Sequence, residues 1–218
     1  MPLLEDMEGL SHHRQKSLLD CAIENFGELP EKVSVSEEQA LLGYIQCLAS
    51  VDAGLQKYRR DSDGWSSKQF RTETHDSSKL ATNLERNGKP CPIPRIKGRP
   101  AEAPNRIEAH HIVPGGDFRF DKAPLLRARL ARAKIRINDP DNGAWLPKTP
   151  RDKIPQHPNA VPHRRIHREG YYRFLMGVLS TERNKIMFRV KLDLIGKMLQ
   201  SGDTPDWMML PKHELPDE

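Results

Sequence analysis

Apolar and polar positions alternate in blocks that predict mainly helices. Leu18, Leu19, Ile23 and Phe26 predict a helix that stops near Gly27 and Pro30. Ser36-Glu37-Glu38-Gln39 has the form of a capping box. Leu41, Leu42, Ile45, Leu48 and Leu55 behind it supply one buried helix face. The chain is polar from Asp61 to Ser78, which predicts a loop, and a short helix is expected over Ser78 to Arg86, stopping at Asn87-Gly88. Five prolines between Lys89 and Pro104 make that stretch extended and irregular. Ile107 to Val113, closed by Pro114-Gly115-Gly116, reads as a strand. A helix is expected over Pro124 to Arg136, with Leu125, Leu126 and Leu130 on one side. Asp139 to Gly143 reads as a turn, and Asn142-Gly143 before Ala144-Trp145-Leu146 is a hairpin-turn signal. After a proline-rich loop over 148–162, two helices are expected, about His163 to Thr181 and Glu182 to Gln200. Gly202 then serves as a C-cap. The fold class expected is α+β, mostly α.

Charge divides the chain more sharply than hydropathy does. The 218 residues carry a net charge of +5, but residues 1–56 hold three basic and ten acidic residues (−7). Residues 57–200 hold 31 basic and 15 acidic residues (+16), and the last 18 hold Lys212 against five acids (−4). With the elements above, this divides the chain into four parts. Residues 1–60 form an acidic helical segment suited to an adaptor or delivery role, and 61–106 a polar, Pro-rich connection. Residues 107–200 form the domain that carries the chemistry, and 201–218 an acidic tail. A basic centre suits a polyanionic partner. Cys21, Cys47 and Cys91 are odd in number and widely spaced, which favours free thiols over a disulfide frame. The N-terminus has no basic stretch followed by an apolar run, so no Sec-type signal is expected. No window approaches the ~18 apolar residues of a membrane span, so membrane insertion is not expected.

The histidines carry the chemistry. His163 and His167 are four apart, so on one helix their side chains share a face and can hold one ion. A bland reading, two solvated helical histidines, fits the pair taken alone. Arg164 stands where a zinc protease of the HExxH type needs its glutamate, so protease chemistry is not expected. His110 and His111 are adjacent in the predicted strand and point to opposite sides. One can join a metal site while the other faces substrate. Phosphodiester hydrolysis needs that division: a cation on the phosphate and leaving oxygen, and a neutral imidazole to activate water. An all-imidazole site suits zinc or nickel, whereas magnesium and manganese prefer oxygen, so the identity of one divalent ion stays open.

Three blocks in order resemble a known family. They are Glu108-Ala109-His110-His111-Ile112-Val113-Pro114, then Ile137-Asn138-Asp139-Pro140-Asp141-Asn142-Gly143-Ala144-Trp145-Leu146-Pro147, then His163-Arg164-Arg165-Ile166-His167 with Tyr171. Together they look like the AHH nucleases of the HNH/endonuclease VII superfamily, over roughly Ser78 to Leu179. The resemblance implies a ββα-metal (HNH-like) core with additional helices. It also implies His110 as a metal ligand, His111 as the general base, and Asn142 as the asparagine that braces the loop between the β elements and helps orient the base. His163 and His167 would complete the metal site. His163 as a phosphate contact, and His157 as a rival third ligand, stay open. Arg164, Arg165 and Arg168 are candidates for backbone phosphates, with Arg127, Arg129 and Arg132 behind them. Members of the family are frequently toxin domains of polymorphic or type VI secreted bacterial effectors, each neutralised by an immunity protein. The expectation is therefore a metal-dependent DNA endonuclease. It would be made in the producing cell's cytoplasm and delivered, without a signal peptide and with a secretion adaptor as a candidate partner, into a target cell. An RNase with the same site, or a non-catalytic nucleic-acid-binding module with structural zinc, are the rival readings.

Overall fold

A computed structural model describes residues 51–93, 106–115 and 120–215. The helix expected around Leu18 to Phe26 lies outside these residues, as does the second expected helix up to Ser50, while its last apolar position, Leu55, falls in a helix that starts at Ala53. Within them the chain is α+β and mostly helical, with seven α-helices and one two-stranded antiparallel sheet.

Three helices precede the sheet. α1 (Ala53–Arg60) starts where the Asp52 carboxylate accepts the Leu55 N–H at 2.8 Å. α2 (Ser67–Thr72) lies inside the stretch expected to be a loop. Its reciprocal capping box, Ser66 with Gln69, and the single buried anchor Phe70 are too short a pattern for apolar periodicity to register. α3 (Ser77–Arg86) is capped by Asp76, whose carboxylate accepts the N–H groups of Ser78 and Lys79.

β1 (Ile107–His111) pairs with β2 (Gly143–Pro147) in the register Ile107↔Pro147 to His111↔Gly143. Asn142-Gly143 is not a hairpin turn. Asn142 ends a 3₁₀ turn (Pro140–Asn142), and Gly143 is extended at φ −135°, opening β2. The two strands are joined instead by a long excursion through α4 (Lys122–Arg132). α4 ends earlier than expected because Lys134 turns left-handed (φ 56°) and the Ile135 N–H returns to the Leu130 carbonyl at 3.1 Å. Pro124 is tolerated near the start, where its missing N–H has no intrahelical partner.

The sheet separates two apolar layers. Ala109 and Trp145 face Leu80, Ala81 and Leu84 of α3. Gly143 makes that approach possible, since a Cβ there would lie 2.7 Å from the Leu80 side chain. Ala144 and Leu146 face the larger core, which holds Ile112, Leu126, Tyr171, Tyr172, Phe188 and Leu192.

The expected single helix over His163 to Thr181 is two. α5 (His163–Ile166) makes one turn and stops at His167 (ψ 66°) and the extended Arg168, after which α6 (Glu169–Leu179) begins. The break seats Gly170 against the C-terminal 3₁₀ turn Asp206–Met209, where a Cβ would lie 2.3 Å from the Trp207 carbonyl oxygen. α7 (Lys185–Ser201) closes the fold against β2 and ends at Gly202, which is left-handed at φ 78° as a C-cap requires.

Candidate metal centre and catalytic histidines

β1 delivers His110 and His111 to opposite faces of the sheet. His110 enters the layer of α5 and α6, while His111 enters the layer of α3 and the loop before it. The cross-strand partner of each is small, Ala144 for His110 and Gly143 for His111, which leaves room for the rings.

On the first face, ligand atoms of His110, His163 and His167 lie within 4.8 Å of one another. The hydrogen bonds decide which nitrogens are available. Tyr171 donates its hydroxyl proton to the Ile112 carbonyl at 2.8 Å, so its oxygen is left to accept from His110 Nε2 at 3.4 Å. A neutral His110 then has its lone pair on Nδ1, and that atom is buried with no hydrogen-bond partner among the described residues. His163 Nδ1 lies 2.7 Å from a Glu108 carboxylate oxygen and donates to it, which leaves Nε2 for a ligand. That Nε2 is 3.2 Å from His167 Nε2, close to the ~3.3 Å expected of two nitrogens on one tetrahedral zinc at ~2.0–2.1 Å. The pair converges although His167 is the cap of a one-turn helix rather than its interior.

This donor set fits a divalent cation. An orphaned buried lone pair is costly unless something takes it, and a carboxylate behind a histidine is the usual way to fix a ligand's tautomer. Burial foremost, and the neighbouring charges of His163, His167 and His111, push the His110 pKa well below its ordinary value, so the ring is neutral and able to ligate. The His163 hydrogen bond, against some cost of burial, and Lys148 hold Glu108 down to about 2, so it stays anionic. Glu108 was legible only as part of a motif, because its role depends on the cross-strand placement of His163. Glu108→Ala is expected to weaken zinc affinity about 10–100-fold, read by competition with a chelating dye. Unchanged affinity would remove it from the site.

On the second face, His111 is 6% exposed, and its Nε2 lies 3.0 Å from Asn138 Oδ1. The His75 ring stands edge-on to it with centroids 5.2 Å apart. Burial foremost, then the charges of His75 and Arg127, lower the His111 pKa to about 4 against the raising effect of the Asn138 hydrogen bond. The ring is therefore neutral near pH 7. Asn138 and His75 were not singled out from the sequence; the spacing between 75, 111 and 138 carries no local pattern.

Asn142 is fully buried and bonds to backbone rather than to an imidazole. Its Oδ1 accepts the Val113 N–H at 2.8 Å, and its Nδ2 donates to the carbonyls of Val113 and Ile137 at 3.0 and 2.9 Å. It thus ties the exit of β1 to the entry of β2. Asn142→Ala strands those three groups and is expected to cost about 3 kcal/mol. A melting temperature lower by roughly 6–12 °C would show it, and a change under about 2 °C would contradict the brace.

The other candidates separate. His157 bridges Ile154 in the loop and lines a different cavity of about 260 Å³ with Trp145, Lys89 and Gln200. Arg164 and Arg165 on α5 and Arg168 just after it are exposed and next in sequence to His163 and His167, and Arg132 is exposed on α4 while Arg129 is half-buried. Arg127 is a correction to the phosphate-binding expectation. It is 5% exposed, and its Nη2 donates to the carbonyls of Phe70, Arg71 and Glu73, so it anchors α2 to α4 from inside.

No curated protein and no solved structure matches the chain. Residues 96–188, which contain the strand pair and all four of these histidines, match AHH, a nuclease family of the HNH/ENDO VII superfamily with conserved AHH, and this match supports a nuclease function.

Proposed function

We propose that the chain is a metal-dependent endonuclease that hydrolyses DNA, with β1, β2 and α5 acting as a ββα-metal core. The observation that carries this reading is the pairing of two unlike imidazole environments on one strand. His110 offers a buried lone pair beside His163 and His167, and His111, one residue on, is neutral and held by a side-chain amide.

A divalent ion held by His110, His163 and His167 would supply Lewis-acid stabilisation of the phosphate and the leaving oxygen. The chain's own groups do the rest. His111 accepts a proton from the attacking water. Glu108 keeps His163 oriented, and Tyr171 keeps His110 oriented. Arg164, Arg165 and Arg168 bind flanking phosphates, which makes affinity salt-dependent and only weakly sequence-selective. The +16 charge of residues 57–200 supports a polyanionic substrate. Among the described residues, no helix is long and apolar enough to cross a membrane.

The biological reading that goes with this is a toxin neutralised by an immunity protein. It is made in a bacterial cytoplasm and delivered by a signal-peptide-independent route, with an adaptor docking the acidic N-terminal segment.

The test is plasmid nicking by metal-stripped protein with Mg²⁺, Mn²⁺, Zn²⁺ or Ni²⁺ restored, beside a matched RNA. Metal-restored nicking upholds the reading. Cleavage of RNA alone would reassign the substrate, and folded, metal-binding protein that cleaves neither would indicate a structural zinc module.

A further inference from the structure

We propose that Asn138 is the positioning residue for His111, and that the loop of residues 74–76, ahead of the region that matches the nuclease family, sets its orientation. This rests on reading His111 as the base.

An amide side chain can point either way, and which way it points decides what it offers a neighbour. Here both ends of Asn138 are fixed by backbone. Its Oδ1 accepts the Asp76 N–H at 2.8 Å, and its Nδ2 donates to the Thr74 carbonyl at 3.0 Å. Turning the amide over would face a donor with a donor and an acceptor with an acceptor, at a side chain that is itself fully buried. The residue's own carbonyl accepts Asn83 Nδ2 at 2.8 Å, which holds the backbone as well.

With Oδ1 fixed as an acceptor, the nitrogen 3.0 Å away, His111 Nε2, is the one that bears hydrogen. A neutral imidazole has one proton to place. The lone pair is therefore on Nδ1, and Nδ1 is the atom that takes the proton from water. A ring in the other tautomer would present an N–H to the water and could not act. Asn138 does not meet substrate; it selects the tautomer. The exposed His75 ring stands edge-on to the same imidazole.

The test reads the tautomer apart from cleavage. In the full chain with ¹⁵N-labelled histidine at pH 8, where an ordinary imidazole is neutral, the His111 resonances are assigned by their loss in His111→Ala. The expected spectrum shows hydrogen on Nε2. Asn138→Ala is expected to give a mixed-tautomer spectrum, with kcat lower by about 10–100-fold and metal affinity retained. A wild-type ring with hydrogen on Nδ1 overturns the proposal. So does a folded Asn138→Ala with unchanged tautomer and kcat. If Asn138→Ala does not fold, the wild-type spectrum decides alone. Should His111→Ala still cleave, the base assignment fails, and the Nε2–H spectrum shows whether the clamp itself stands.

Discussion

His111→Ala is expected to lower plasmid cleavage by about 10²–10⁴-fold while leaving zinc affinity essentially unchanged. The two halves of that expectation come from the pleat of β1. His110 and His111 are neighbours in sequence but lie in different layers, so the three ligand atoms that converge within 4.8 Å do not include His111. The ring's surroundings keep it neutral over the working range while weakening it as a base. It is buried, and its pKa is lowered to about 4, so it stays neutral as the pH falls through 6 and loses its lone pair only nearer pH 4. His110→Ala and His167→Ala are expected to differ in kind, losing metal and activity together. Cleavage at the wild-type rate by His111→Ala would sink the base assignment. A His111→Ala chain that also loses zinc would mean that the two faces are not separate.

How far the sequence could reach depended on whether the signal was local. The Glu108–Pro114, Ile137–Pro147 and His163–His167 blocks are each contiguous, and they lead directly to the strand pair and to the histidines that face each other. The C-cap at Gly202 was legible for the same reason, since a glycine past the last apolar position has one conformational use. Errors arose where a distant segment overrode a local preference. Asn142-Gly143 has hairpin chemistry, yet Gly143 opens a strand by pairing with His111, and Leu80 packs where a side chain would stand. The His163–Thr181 stretch has helical periodicity, yet it breaks at His167 and Arg168, and α6 then packs Gly170 against the 207–208 backbone. Arg127 reads as one more basic candidate for a backbone phosphate, but its three carbonyl partners come from 54 to 57 residues earlier in the chain. Asn138, Glu108 and His75 act through partners just as remote, and no spacing rule joins them.

Those distant partners lead to the second large effect: a chain that begins at residue 94 is expected not to fold, although it keeps the whole region that matches the nuclease family. Asp139 and Asp141 are each 1% exposed, between Arg59 of α1 and Arg189 of α7. Burial alone would raise the Asp139 carboxyl; the two guanidinium groups, Arg189 foremost, hold it far below the ordinary range. Removing Arg59 from a buried cluster of this kind costs about 3–5 kcal/mol, because it leaves a desolvated charge partly uncompensated. The same deletion takes Glu73 from Arg136, a contact of 2.6 Å between groups that are each 8% exposed. It also removes the fully buried Leu80 and Leu84 from over Trp145, at about 1.5–3 kcal/mol for each leucine. Together these losses reach the ~5–15 kcal/mol that stabilises a typical domain. Circular dichroism on heating should therefore show no cooperative transition for the shortened chain. A cooperative transition within a few degrees of the full chain's would mean that the sheet, α4 and the last three helices stand alone, and that residues 51–93 only dress them. The expected failure instead makes α1 to α3 part of the catalytic unit, because the loop they carry holds the amide that faces His111.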